Sequence, residues 1–469
     1  MKMKKLMCTL LGVTMTASLL AGCGAGNSQP DAGAEQNNAA VEEAADAAAT
    51  DAAAEADSAA EADEGETASG EQVTLTFWSW LPTLDQWDKM VGEFEKENPD
   101  IKVEYTRSED VEEKLKVAMA SGTGPDLFGM TTSVIEQYKP FCEPMDALAD
   151  EYLPGWQDVI SPTAVEQCTT QDGTMVGMPL LVAGMTDLLY NQTILDECGI
   201  TEVPRTYEEL KADAELIKAK GYIPVVVGAA DDWVNSDWFI NISNEFEKGA
   251  VYEAEAGNRA WTDQCFIDTM NAWKQLFDDG IFEEGALGVA TYPDARDQYF
   301  FDKKAAFFLT GSWHLGPTSP SNDEIQGTAV QDDTIGMCAF PSMSPSGDIY
   351  ATSGVDILLG VNKDSANKEA AMKFVEFMSQ GSGQQIFVDG LQGSPVSNKI
   401  TYEGAVDGTL QQQSIDEVNQ YVSDAVGARK LKYSELENAI YIAMQNVAAG
   451  GDPETELQNV QAVSDGIER

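Results

Sequence analysis

The chain has 469 residues and carries 79 Asp and Glu against 28 Lys and Arg, a formal net charge of −51. That length predicts two lobes rather than one domain. The acidity argues against nucleic acid, anionic membrane surfaces and strongly anionic ligands, and leaves a neutral or cationic ligand as the better fit.

In chain order, a basic start, Met1-Lys2-Met3-Lys4-Lys5, precedes an apolar run from Leu6 to Leu20. A charged opening, an apolar core too short to span a membrane comfortably and small residues before a cut site predict a secretory signal over 1–22. The ending Leu20-Ala21-Gly22-Cys23 resembles a lipobox, which implies a lipid on the Cys23 thiol and a mature chain beginning there. Residues 24–71 hold thirteen acidic side chains, no Lys or Arg and almost nothing large and apolar. Such a stretch cannot offset its ordering entropy, so 23–71 is expected to be a disordered tether with a reach of roughly 40 Å. Beyond signal and tether, 66 acids still face 25 bases.

Val73 to Trp80 alternates as a strand that runs into a loop. Trp87, Met90, Val91 and Phe94 then share one face of a helix stopped by Asn98-Pro99. Ile101–Tyr105 is a second strand, Val111, Leu115, Ala118 and Met119 mark a second helix, and Pro125–Phe128 enters a short buried strand. This order predicts an α/β lobe built on a largely parallel sheet. Residues 177–182 read as an extended crossover and 187–191 as a strand end. Thr206-Tyr207-Glu208-Glu209 is a capping box for a helix that runs to Lys220. Tyr222–Val227, Lys304–Leu309 and Ser353–Val361 read as strands. Residues 231–281, 368–378 and the C-terminal part read as helical, with helix starts at Ser434 and Asp452-Pro453.

A single histidine, His314, excludes multi-histidine metal sites and leaves carboxylates as the main candidates for any catalysis. No Walker loop, dinucleotide fingerprint or G-x-S-x-G is present, and no cofactor or metal is implied. Beyond Cys8 and Cys23, the five scattered cysteines 142, 168, 198, 265 and 338 contain no C-x-x-C pair. Free buried thiols are expected, with one disulfide at most.

Several motifs then occur in a specific order. They are L-x-x-A-x-A-S-G-T-x-P-D over Leu115–Asp126, Leu189-Tyr190-Asn191, and Val203-Pro204-Arg205-Thr206-Tyr207-Glu208-Glu209-Leu210. Ala305-Ala306-Phe307 with Gly311-Ser312-Trp313, and Asn367 to Phe377, complete the set. Together the segments from Val73 to Ile467 resemble the family 1 extracellular solute-binding proteins, the carbohydrate-capturing subunits of ABC importers. The resemblance implies a two-lobe, type II periplasmic-binding-protein-like α/β fold. It implies an N-terminal lobe at 73–182 and 354–397, a C-terminal lobe at 183–353 and 398–469, and a hinged cleft that closes on the ligand. It further implies a monomeric, non-enzymatic receptor for a mono- or oligosaccharide that delivers it to ABC permease subunits. The receptor would sit on the outer face of the cell membrane through its lipid alone, as in Gram-positive bacteria.

Sugars offer weakly apolar C–H faces ringed by hydroxyls, which suit aromatic platforms beside hydrogen-bonding groups. Trp313, in the family's G-x-W position, is the foremost candidate. Trp80 or Ser79 at the end of the first strand, and Trp233 or Trp238 in what reads as an aromatic, amide-rich loop, follow. Thr131, Thr132 and Ser133 stand where relatives place contacts, here in place of a carboxylate. Gln392 and Ser394 are expected to face the cleft from the first lobe. Asp126 is expected to organise its own lobe, Tyr190 and Asn191 to serve packing, and His314 to be structural. A receptor of the same fold for a peptide or polyamine, and a surface glycoside hydrolase using two carboxylates, are the rival readings.

Overall fold

A computed structural model describes residues 72–469 apart from residue 109; the expected signal, Cys23 and the tether lie outside the described residues. The strands are β1 (Val73–Ser79), β2 (Ile101–Arg107), β3 (Leu127–Met130), β4 (Met178–Asn191), β5 (Ile223–Val226), β6 (Ala305–Gly311), β7 (Ile335–Ala339), β8 (Thr352–Val361) and β9 (Ser394–Pro395). They follow the order β2-β1-β3-β8-β4-β6-β5, with β7 and β9 also paired to β4.

The first strand shows how the pattern becomes a lobe. Leu75, Phe77 and Ser79 are buried on one side of β1, while Thr76, Trp78 and Trp80 are half-buried on the other. Helix Leu84–Glu97 covers this sheet with Met90 and Phe94, both fully buried. Helix Val111–Ser121 ends at Gly122, whose φ of 71° is a left-handed conformation that glycine adopts without penalty. Asp126 then ties the sheet together. Its Oδ2 accepts from Thr76 N at 2.9 Å and Thr76 Oγ1 at 2.8 Å, and its Oδ1 accepts from Ser365 Oγ at 2.6 Å.

The sheet is less parallel than expected. Only β1/β2, β1/β3 and β5/β6 run parallel. The middle is antiparallel because β4 and β8 cross between the lobes in opposite directions. The expected crossover and strand end are one strand of 14 residues. Its first half pairs with β8 from Met178↔Leu359 to Met185↔Thr352, and its second half pairs with β6 and β7.

Two bodies of core follow from this. One draws on residues 75–181 and 355–400, including Phe77, Phe94, Phe128 and Phe374. The other is built from 188–286, 306–340 and 431–460, with Trp238, Trp261 and Trp273 fully buried, and a smaller cluster around Phe300 and Phe308 adjoins it. The chain is thus a two-lobe α/β protein. Helix Tyr207–Ala219 opens with the expected capping box: Thr206 Oγ1 accepts from Glu209 N at 3.3 Å, and Thr206 N donates to Glu209 Oε2 at 3.1 Å. Among the described residues, all five cysteines are buried free thiols and no helix is long and apolar enough to cross a membrane.

Burial pushes the carboxyls of Glu245 and Glu283 up to about 8 from an ordinary 4.5. Between those values the unfolded chain loses a proton that the folded chain keeps, so stability is greatest at the acid end and falls as pH rises. Each such group costs about 1.4 kcal/mol per pH unit across that window. Asp279, held low by Lys211 and Tyr207, acts in the opposite sense only below its ordinary 3.8. Thermal unfolding should therefore give its highest midpoint near pH 5 and a falling one toward pH 8. Glu245→Gln should flatten that slope.

Candidate functional site

The Gly311-Ser312-Trp313 turn is fastened to the crossing strand. Ser312 Oγ accepts from Gly184 N at 2.9 Å, in buried surroundings. The Trp313 ring folds back over Gly311 so closely that a Cβ there would lie 2.2 Å from Cζ3 of the ring and 2.7 Å from Gly184 O. Only glycine permits that approach.

The half-buried ring is fixed on three further sides. The Arg429 guanidinium lies over it, 4.8 Å from its centroid. Trp233 meets it edge-on, with centroids 5.6 Å apart. Its Nε1–H donates to Tyr292 Oη at 3.2 Å. Tyr292 Oη also lies 3.3 Å from His314 Nε2, and His314 Nδ1 lies 2.6 Å from Thr310 Oγ1. Burial, then the charge of Arg296, drives the imidazole's pKa well below 6.5, which keeps it neutral. His314 is the structural residue its position predicted.

In the first lobe, Glu112 braces the loop after β3. Its Oε1 accepts from Thr131 N at 2.7 Å, and Thr131 Oγ1 lies 3.1 Å from Ser133 Oγ. Burial raises its pKa, Thr131 opposes the rise, and Lys430 and Asp232, both from the second lobe, act on its charge. The hydroxyls of Thr131 and Ser133 thus face one another, and Glu112 brings a carboxylate onto the Thr131 backbone amide. An indole offers a ligand an apolar platform, and Glu112, Thr131 and Asp232 offer it hydrogen-bonding groups.

The other sequence candidates divide. Trp233 touches Trp313, whereas Trp238 is 0 % exposed and packs between Trp273, at 4.9 Å, and Phe340, at 6.1 Å. The reading of Trp238 as a ligand residue is therefore corrected. The segment is the helix Asp232–Phe246, not a loop, and five residues along a helix turn Trp238 about 140° away from Trp233. Ser79 is also fully buried, its Oγ accepting from Leu81 N at 3.3 Å, so it supports the loop and offers no surface to a ligand. Trp80 is half-buried against the first lobe's core, and Thr132 is half-buried. Ser394 pairs with Val182 of β4, and Gln392 is buried with Oε1 lacking a hydrogen-bond partner. Asn191 caps the next helix by accepting from Ile194 N, and Tyr190 is buried in the second lobe.

Over residues 80–385, more than half of its length, the sequence matches the family described as bacterial extracellular solute-binding protein. The chain belongs to that family. It is 26 % identical to the multiple sugar-binding protein of Streptococcus mutans over 342 residues, covering 70 % of this chain and 76 % of that one. A chitin oligosaccharide binding protein of known structure superposes with a TM-score of 0.70 at 22 % identity, over 85 % of this chain and 99 % of that one. Maltose-bound MalE3 of T. maritima gives a TM-score of 0.70 at 21 % identity, over 84 % and 99 %. At such identities the two structures establish the two-lobe fold alone.

Arg429, Lys430, Glu112, Asp232 and Tyr292 escaped the sequence reading. Two consecutive bases, Arg429-Lys430, stand out in a body so poor in them, but Lys303-Lys304 offers the same pattern. The two tryptophans should separate cleanly in stability. Trp238→Ala should cost about 3–5 kcal/mol in denaturant unfolding, and Trp313→Ala, which leaves a ring-sized gap at a half-exposed position, markedly less.

Proposed function

We propose that the protein is a membrane-anchored extracellular receptor that captures a mono- or oligosaccharide between its lobes and delivers it to ABC permease subunits. The observation that carries this reading is the Trp313 ring, fixed by Arg429, Trp233 and Tyr292, with the first lobe's Glu112 close enough to Asp232 and Lys430 to feel their charges. A rigid indole among carboxylate, hydroxyl and ammonium groups suits a ligand with both C–H faces and hydroxyls. The similar proteins, named for multiple sugars, chitin oligosaccharide and bound maltose, support the same ligand class.

In this reading the lobes comprise 73–182 with 354–397 and 183–353 with 398–469. They rotate about the crossing segments near Leu181–Gly184 and Tyr350–Gly354. The protein acts as a monomer, holds the sugar without breaking it, and is anchored through a lipid on Cys23 at the surface of a Gram-positive cell. Thr132, Trp80, Gln392 and Ser394 remain candidate contacts from the first lobe.

A thermal-shift screen of sugars, polyamines and peptides, with product analysis of each hit, tests the proposal. A sugar at a hundred times its dissociation constant should add about 2.7 kcal/mol of stability. It should be recovered intact and lose its effect in Trp313→Ala. Stabilisation by polyamines or peptides alone would overturn the ligand class, and cleaved sugar would overturn the receptor.

A further inference from the structure

Trp313 is not fixed by its own lobe alone. The segment that carries Arg429 lies along the crossing strand β8: Val426 N donates to Ala351 O at 2.9 Å, and Ser353 N donates to Gly427 O at 3.0 Å. Arg429 is 4 % exposed, and its guanidinium serves two carboxylates. Nη2 donates to Asp237 Oδ2 at 2.8 Å, on the fully buried face of the second lobe's helix Asp232–Phe246. Nη1 donates to Asp356, on β8 between Val355 and Ile357, both members of the first lobe's core. Lys430 Nζ stands 2.9 Å from Asp237 Oδ1, so Asp237 shares two cations while Asp356 is held by Arg429. Burial works against the arginine's charge, yet the two carboxylates hold its pKa above the ordinary value.

One guanidinium thus joins a carboxylate from each lobe and lies against the Trp313 ring. We propose that Arg429 is a positioning residue that couples the orientation of Trp313 to the arrangement of the two lobes. If the lobes rotate about the crossing strands, one of the two buried ion pairs must lengthen. Asp237 keeps Lys430 as a second cation, whereas losing Arg429 would strip Asp356 of the cation that holds it. Leaving a buried charge without its partner is strongly unfavourable, so the guanidinium follows Asp356, and the ring stacked on it turns too. The ring's backing is the moving part, since Ser312 and Gly311 already pin the turn to Gly184. The ligand half of the test rests on the carbohydrate reading, whereas the ligand-free half does not.

The test measures acrylamide quenching of Trp313 fluorescence, isolated by subtracting the same variant carrying Trp313→Phe. Without ligand, quenching should rise about twofold in Asp356→Asn, with Arg429→Lys between it and wild type, because lysine keeps the charge but cannot serve both carboxylates as a fork. With maltose, raffinose or a chitin oligosaccharide, whichever wild type binds, Asp356→Asn should weaken binding about tenfold, but less than twofold in a Trp313→Phe background. Quenching unchanged in both variants, or the same loss of affinity with and without the Trp313 ring, would overturn the coupling. If wild type binds none of these sugars, the quenching comparison alone decides the coupling, and the ligand class is left to the wider screen.

Discussion

The antiparallel ladder between β4 and β8 is the constraint on which the rest depends. Both strands belong to both lobes, and from Met178↔Leu359 to Met185↔Thr352 they are bonded to each other. A slip of one residue would send every side chain of the slipped strand to the opposite face, disturbing the packing of two cores at once. The register also fixes the site. Gly184, paired with Ser353, is the residue that donates to Ser312, so the turn bearing Trp313 is positioned by the ladder.

Around that ladder a strongly acidic protein collects some of its few bases. Arg429 and Lys430 are nearly fully buried against Asp237 and Asp356, and Glu437 lies close enough to feel Lys430. Buried ion pairs of this kind are a poor source of net stability, because desolvation offsets most of their attraction. What they supply is geometry, since a planar guanidinium between two carboxylates and an indole has few alternative positions. Helix packing and β-ladders would hold the lobes without them. The Trp313 ring takes one of its supports from this cluster.

Much of the fold was legible because local signals agreed with the tertiary structure. Alternation marked β1 and β2, the box at Thr206 and Glu209 marked a helix start, and Asp452-Pro453 marked another. The strand β7 was missed because Ile335–Ala339 is buried throughout and so shows no alternation. Helix Thr409–Ser423 was missed because two of its core-facing positions are Gln411 and Ser414, polar residues that mask the apolar stripe. The site was legible only where one motif carried it, at Gly311-Ser312-Trp313. Trp233 and Trp238 were not told apart because their stretch was read as a loop even though 231–281 read as helical; only the helix register from Asp232 separates them. Arg429, Asp237 and Asp356 come together from segments more than 70 residues apart, and no spacing rule links them.

The central claim is that a sugar is held between lobes that close on it. Small-angle X-ray scattering of the protein with and without a saturating, stabilising sugar tests this most directly. Closure about the β4–β8 ladder predicts a smaller radius of gyration in the bound state, reversed when the sugar is dialysed away. A sugar that binds tightly yet leaves the scattering curve unchanged would contradict the account.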